Sequence, residues 1–163
     1  MNASPRIRPT AIALALLLAA ALPAVAANEV NTTSGLTAAG APLALHGFDP
    51  VAYFSDAAPT RGSASHAAVH DGATYYFSSA ENLAAFEADP TTYAPAFGGF
   101  CAYGVSVGKK FDGDPRYWKI ANGRLYLNLN ADIARTFEKD VPGNVAKAEK
   151  QWQRIEHTRI EEL

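Results

Sequence analysis

The sequence predicts a small single α+β domain, built from two β-hairpins and about three or four helices. Two dipeptides predict the hairpins, because Asp71-Gly72 and Asn122-Gly123 each separate β-prone runs. Both dipeptides favour a type I′ turn, which needs φ > 0 at its two central positions. Segments with an N-capping residue and apolar residues three or four positions apart predict the helices. A chain of 163 residues allows one domain of this kind, and hairpins interleaved with helices are typical of the α+β class.

Residues 1–26 are predicted to be a secretory signal peptide. Arg6 and Arg8 give a positive start, the run from Ala11 to Leu22 is uncharged, and Ala24-Val25-Ala26 provides small residues at the cleavage site. A membrane anchor needs roughly 18 apolar residues, and Pro23 interrupts this shorter run. We therefore expect a periplasmic or secreted protein with no membrane span after the signal is removed.

The next segment, 27–44, is small and polar without periodicity, and we expect a flexible lead-in outside the core. The folded domain is predicted over 45–157, followed by a charged tail at 158–163. Within the domain, the run Val51-Ala52-Tyr53-Phe54 follows Asp49-Pro50 and is interpreted as a short strand.

The first hairpin is predicted over 67–77, and a helix follows it. Ser78 and Glu81 fit a capping box at the start of that helix, which ends at Asp89-Pro90. A compact aromatic connection follows over 90–99.

The second hairpin is predicted over 117–129, where leucines alternate with other residues as in a half-buried strand. Asn130 is a suitable N-cap for the next helix, and Pro142 is well placed to start the last one. One apolar stripe of the last helix contains Val145, Ala148, Trp152 and Ile155.

Charge and cysteine content argue against several classes of function. Fourteen Lys and Arg stand against 16 Asp and Glu without a basic block, so a nucleic acid partner is not expected. A single cysteine can form neither an internal disulfide nor a multi-cysteine zinc site. The sequence contains no phosphate-loop, GxGxxG or HExxH motif, which favours a protein without catalytic activity.

Cys101 follows the Gly98-Gly99 pair and is the strongest candidate for chemistry. If a helix begins at this bend, its first turn would favour a thiolate, and we expect an accessible thiol with a lowered pKa. The alternative is that Cys101 is a small buried apolar residue. His46, His66 and His70 show no metal-site spacing, and Asp49, Asp112 and Asp114 lie where aspartate commonly shapes turns.

Together these segments resemble the exported YHS-domain proteins of bacteria. The resemblance covers about residue 45 to Trp152, and its clearest segments are Gly47-Phe48-Asp49-Pro50-Val51-Ala52-Tyr53-Phe54, His70-Asp71-Gly72-Ala73-Thr74-Tyr75-Tyr76-Phe77, Gly98-Gly99-Phe100-Cys101-Ala102-Tyr103 and Gly123-Arg124-Leu125-Tyr126-Leu127-Asn128. It implies a YHS-like fold and a soft-metal ligand, copper above all, with the family's cysteine at Cys101. The motif residues it marks are Asp49, Pro50, Tyr53, Gly98, Gly99, Cys101 and Tyr103. The chain departs from multi-cysteine relatives in lacking a second cysteine, and the Tyr-His-Ser triplet is absent.

The leading hypothesis is an exported module that binds Cu(I) through Cys101, with His46 or His70 as helping ligands. Two alternatives remain open. In the first, Cys101 is a redox thiol or forms a mixed disulfide. In the second, the domain is a non-catalytic interaction module that docks a periplasmic protein.

Overall fold

The computed structural model describes residues 29–163, so the predicted signal peptide lies outside the described residues. The described chain confirms the α+β class, with two antiparallel two-stranded sheets and six helices. The strands are β1 (Ser63–His70), β2 (Ala73–Phe77), β3 (Asp114–Ala121) and β4 (Arg124–Asn128). The helices are α1 (Ala52–Ser55), α2 (Ala80–Ala88), α3 (Pro90–Tyr93), α4 (Ala102–Ser106), α5 (Ala131–Glu138) and α6 (Val141–Ile155). Over 29–163, no helix is both long and apolar enough to cross a bilayer.

Both predicted hairpin turns are confirmed. Asp71 and Gly72 have φ of 48° and 73°, and Asn122 and Gly123 have φ of 50° and 71°. β1 pairs with β2 and β3 pairs with β4, each with one irregularity in register. β3 begins at Asp114, three residues before the predicted start of its hairpin.

β4 is buried on both faces, so the predicted half-buried strand is wrong. Leu125 and Leu127 pack with Leu45 and Tyr53 on one side. Tyr126 packs on the other side, in the cluster that includes residues of α4, α5 and α6. Because core clusters cover both of its faces, β4 lies at the centre of the fold, although its sequence alternates like that of a strand with one solvent-exposed face.

The run 51–54 is helical and not extended, with Val51 as the N-cap of α1, so the predicted strand there is wrong. Asp49 decides this, because its Oδ1 accepts hydrogen bonds from the backbone N–H groups of Val51 (2.8 Å) and Ala52 (3.3 Å). These are donors that a helix start leaves unpaired and a strand would use for pairing.

Side chains cap three longer helices. α2 begins one residue later than predicted, because Ser79, and not Ser78, accepts the N–H of Asn82. Asn130 caps α5 as predicted, through the N–H of Ile133 at 3.0 Å. Asp140 caps α6 by accepting the N–H of Gly143 at 3.0 Å.

Residues 29–44, named here the strap, join the core, and the expectation that this segment lies outside it is wrong. Thr32 bridges to Ala44, and Leu43 bridges to Thr74 of β2. Ala41 and Ala44 are buried. The small polar composition of the strap lets its backbone approach the domain closely, and backbone hydrogen bonds hold it there.

Trp152 is expected to anchor α6. Its ring lies 5.8 Å from the Phe97 ring and 6.3 Å from the Phe100 ring, centroid to centroid, and it is half-buried. Trp152→Ala should lower the free energy of unfolding by about 2–3 kcal/mol, somewhat less than for a fully buried tryptophan. Urea unfolding measures the loss, with Val107→Ala at an exposed site as the control. Equal losses in the two variants would contradict the anchoring role.

Candidate functional site

Cys101 is a buried helix cap. It is the N-cap of α4, and its Sγ accepts the N–H of Gly104 at 3.3 Å. The thiol faces Oδ1 of Asn128 at 3.9 Å, and only 1% of the residue is exposed. The expectation of an accessible thiol is therefore wrong.

The thiol is also expected to stay protonated. Burial raises the pKa of Cys101 above its usual value, although the backbone N–H groups of Gly104, Leu129 and Tyr103 pull the pKa down in part. The free-energy cost of removing a thiolate from water exceeds the stabilisation that these N–H donors give it. The predicted lowering of the Cys101 pKa is therefore wrong.

Alkylation should detect this burial. In the folded protein, the alkylation midpoint of Cys101 is expected above about 8.5, the value of a free thiol. Because the folded pKa is the higher one, the thiol's contribution to stability is intact below about pH 8.5 and is lost as pH rises toward the folded pKa. The measurement is a pH profile of alkylation in native buffer and in urea. A native midpoint below the one in urea would contradict the assignment.

The Gly98-Gly99 bend serves the strap. Gly98 and Gly99 have φ of 60° and 84°, and the strap crosses directly over them. Asn31 donates its backbone N–H to the Gly98 carbonyl at 2.8 Å and its side-chain N–H to the Gly99 carbonyl at 3.3 Å. A Cβ at Gly98 would overlap the carbonyl oxygen of Glu29. The two glycines thus allow a close approach, as the sequence suggested, but the approaching group is the strap.

The other motif residues have structural contacts. Asp49 and Pro50 are buried at the start of α1. Tyr53 is buried and donates its hydroxyl to the Pro115 carbonyl at 2.9 Å, and burial together with Asp114 raises its pKa. Tyr103 is partly buried against the main core cluster. These residues shape the fold around the second hairpin.

The two candidate helping ligands are each paired with an aspartate. Nε2 of His46 lies 2.9 Å from Oδ1 of Asp112, and Nε2 of His70 lies 3.2 Å from Oδ2 of Asp71. Across residues 29–163 no group of three or more His, Cys, Asp or Glu side chains could hold a metal ion. With Cys101 buried against Asn128, the residues present do not fit a copper site.

His46 nevertheless lies in an unusual local structure. Leu45, His46 and Gly47 form one left-handed turn, with φ of 51°, 49° and 76°. Gly47 adopts this conformation freely, but residues with side chains rarely do, and the two successive residues Leu45 and His46 are costly in it unless surrounding contacts hold them. Leu45 is buried, which fixes one side of the turn. His46 is thereby presented at the surface.

A groove of about 430 Å³ opens beside this turn. We name it the His46 groove, and it is lined by His46, Phe48, Arg61, Asp112, Asp114, Pro115, Arg116 and Leu129. No sequence motif marks this groove, because its residues come from separate turns and strands. Its one local signal is the cluster of Asp, Gly and Pro residues over 112–115, which by itself indicates a turn.

Hydrogen bonds organise the groove. Asp112 accepts from the side-chain N–H of Asn31 at 2.6 Å and from His46 at 2.9 Å. An ionised carboxylate only accepts, so the His46 proton lies on Nε2 and Nδ1 faces away from Asp112. Arg61 donates from Nη1 to the His46 carbonyl at 3.0 Å, and its guanidinium stacks over the Phe48 ring at 4.3 Å. These contacts hold the turn and the imidazole in one arrangement.

Asp114 and Arg116 form a closed ion pair on the same wall. Arg116 contacts both carboxylate oxygens, with Nε 3.0 Å from Oδ1 and Nη2 2.6 Å from Oδ2. The Arg116 hydrogen bond holds the pKa of Asp114 below its usual range. The two charges of this pair neutralise each other, so Asp114 and Arg116 add little net charge to the groove.

Comparisons with protein-family models, curated proteins and solved structures found no match to this chain, so the YHS resemblance remains a hypothesis based on the residues.

Proposed function

We propose that the protein is an exported, non-catalytic binding module that takes a small polar ligand in the His46 groove. The left-handed turn that presents His46 carries this proposal. Backbone strain of this kind clusters at ligand-binding and active sites, where surrounding contacts hold it. Arg61 and Asp112 supply such contacts on either side of the turn.

The composition of the groove favours binding over nucleophilic catalysis. Its lining, drawn from the described part of the chain, offers an imidazole, two guanidinium groups and two carboxylates, with no thiol and no hydroxyl. Polar groups at fixed positions over an apolar floor are the usual features of a small-molecule site.

The groove is tested by amide NMR with pools of small polar compounds. Compounds that bind should shift the amides of His46, Phe48 and Arg116, and His46→Asn should abolish these shifts. Asparagine tolerates left-handed backbone better than most residues, so this variant keeps the turn. His70→Asn is the matched control, because His70 is also a half-buried histidine paired with an aspartate. Pools that shift amides only elsewhere would refute the groove as the binding site.

Copper provides a separate prediction. Because Cys101 is buried and residues 29–163 form no metal-ligand cluster around it, wild type and Cys101→Ser should bind Cu(I) with equal affinity. A competition titration with a Cu(I) chelator measures this, and serine preserves an N-capping oxygen at the start of α4. A loss of affinity of tenfold or more in the variant would instead favour the cysteine-centred copper module.

Export is part of the proposal and has its own test. The mature protein is expected to begin at Ala27 or Asn28, which leaves the strap close to the new N-terminus. Intact mass of the protein recovered from the exported fraction decides this. A full-length chain held in the membrane would refute it.

A further inference from the structure

The Arg61 guanidinium and the Asp112 carboxylate both line the His46 groove, and each keeps polar atoms without a hydrogen bond within residues 29–163. We infer that the ligand of this groove is a small zwitterion of the amino-acid class. Its carboxylate would bind Arg61, and its ammonium group would bind Asp112. This inference rests on the proposed function and names the ligand class of the same groove.

Arg61 is prepared to bind a carboxylate. Of its guanidinium donors, only Nη1 has a hydrogen bond within the described chain, to the His46 carbonyl. Stacking on Phe48 orients the plane, and the backbones of Phe48 and Arg61 pair in an antiparallel bridge. An oriented guanidinium with remaining donors matches the two oxygens of a carboxylate.

Asp112 is prepared to bind a cation. Asn31 and His46 both reach Oδ1, so Oδ2 has no partner among residues 29–163. The contacts at Oδ1 fix the carboxylate and leave Oδ2 to accept from an ammonium group. Asp114 cannot compete for this role, because both of its oxygens contact Arg116.

The groove also has an apolar part, which suits a small hydrocarbon side chain. Phe48, Pro115 and Leu129 contribute it, and Leu129 keeps 38% of its surface exposed. Burial of an apolar ligand group there would add to the two charge contacts. A free amino acid with an aliphatic side chain therefore satisfies all three parts of the groove.

The test is an amide NMR titration of the ¹⁵N-labelled protein with L-leucine. Two half-molecules accompany it, 4-methylpentanoate without the ammonium group and 3-methylbutylamine without the carboxylate. Leucine should shift the amides of His46, Phe48 and Arg116, and each half-molecule should bind at least tenfold more weakly. Arg61→Gln and Asp112→Asn should each weaken leucine binding at least tenfold. Asp112→Asn keeps the shape of the side chain, so it tests the charge even if Arg61→Gln fails to fold.

Arg135→Gln, on the exposed surface of α5, is the control and should bind leucine as wild type does. Equal affinity for leucine and 4-methylpentanoate would overturn the zwitterion while the groove itself stays a binding site. Equal affinity for leucine and the amine would do the same. If leucine shifts no groove amide while another compound in the pools does, the ligand class is wrong and the proposed function stands. If no compound shifts them, both are wrong.

Discussion

Asp49→Ala is expected to lower the free energy of unfolding by about 4 kcal/mol, the scale on which a buried charge network loses one partner. Asp49 is fully buried and accepts five hydrogen bonds. Its Oδ1 takes the N–H groups of Val51 and Ala52, which start α1. Its Oδ2 takes the N–H and hydroxyl of Ser78 and the side-chain N–H of Asn82. Alanine would leave the buried N–H groups of Val51 and Ala52 without an acceptor, and the partly buried donors of Ser78 and Asn82 would lose theirs.

Urea unfolding measures this loss, and two variants calibrate it. Asp49→Asn keeps one carbonyl oxygen and replaces the other with an N–H₂ group that faces donors, so its loss should be intermediate or nearly as large. Asp89→Ala removes an exposed aspartate cap from α3 and should cost far less. If Asp49→Ala and Asp89→Ala cost the same, the buried network does not stabilise the fold.

Gly98→Ala is expected to lower the free energy of unfolding by about 3 kcal/mol, from unfavourable φ and from overpacking together. The residue has φ of 60°, and its new methyl group would overlap the Glu29 carbonyl of the strap. The backbone must move there, because the overlapping atom belongs to the main chain. The contacts of Asn31 with Gly98 and Gly99 should therefore weaken.

Gly72→Ala separates the two causes of that loss. Gly72 has φ of 73° at a hairpin turn, and a Cβ there meets no atom within 4 Å. Its loss should be about 1 kcal/mol, which reports conformational strain alone. The excess at Gly98 measures the displaced strap, and amide exchange at Asn31 should accelerate only in the Gly98 variant. Equal losses at the two glycines would show that the strap contributes nothing at this crossing.

Local chemistry predicted the hairpins and the longer helices. Asp71-Gly72 and Asn122-Gly123 define their turns within two residues, and Asn130 caps its helix through a residue three positions later. The run 51–54 was mispredicted because its helical state depends on Asp49, whose second oxygen is held by Ser78 and Asn82 from a distant part of the chain. A short apolar run has no periodicity that would decide between strand and helix.

The candidate site was predicted less well, because its properties are not local. A helix does begin at Cys101, the condition on which a thiolate was expected, but packing against β4 buries the thiol and thereby raises its pKa. The sequence predicts His46 as a helping ligand, whereas the contact that orients its imidazole comes from Asp112, 66 residues away. A spacing of that size carries no periodic or motif signal. Only the folded structure shows that Asn31 and His46 both contact Oδ1 of Asp112, which leaves Oδ2 available to a ligand.

The strap also has a consequence for the order in which the chain can complete its fold. It is the first of the described segments to be synthesised, and several of its partners are made much later. The side chain of Asn31 can form its hydrogen bonds only after Gly99, 68 residues later, and Asp112, 81 residues later, have been synthesised. Until Asp112 has emerged, neither the strap nor the His46 groove can close. Throughout most of synthesis the residues next to the predicted signal peptide therefore lack some of their folded partners, a state that would suit the export proposed above.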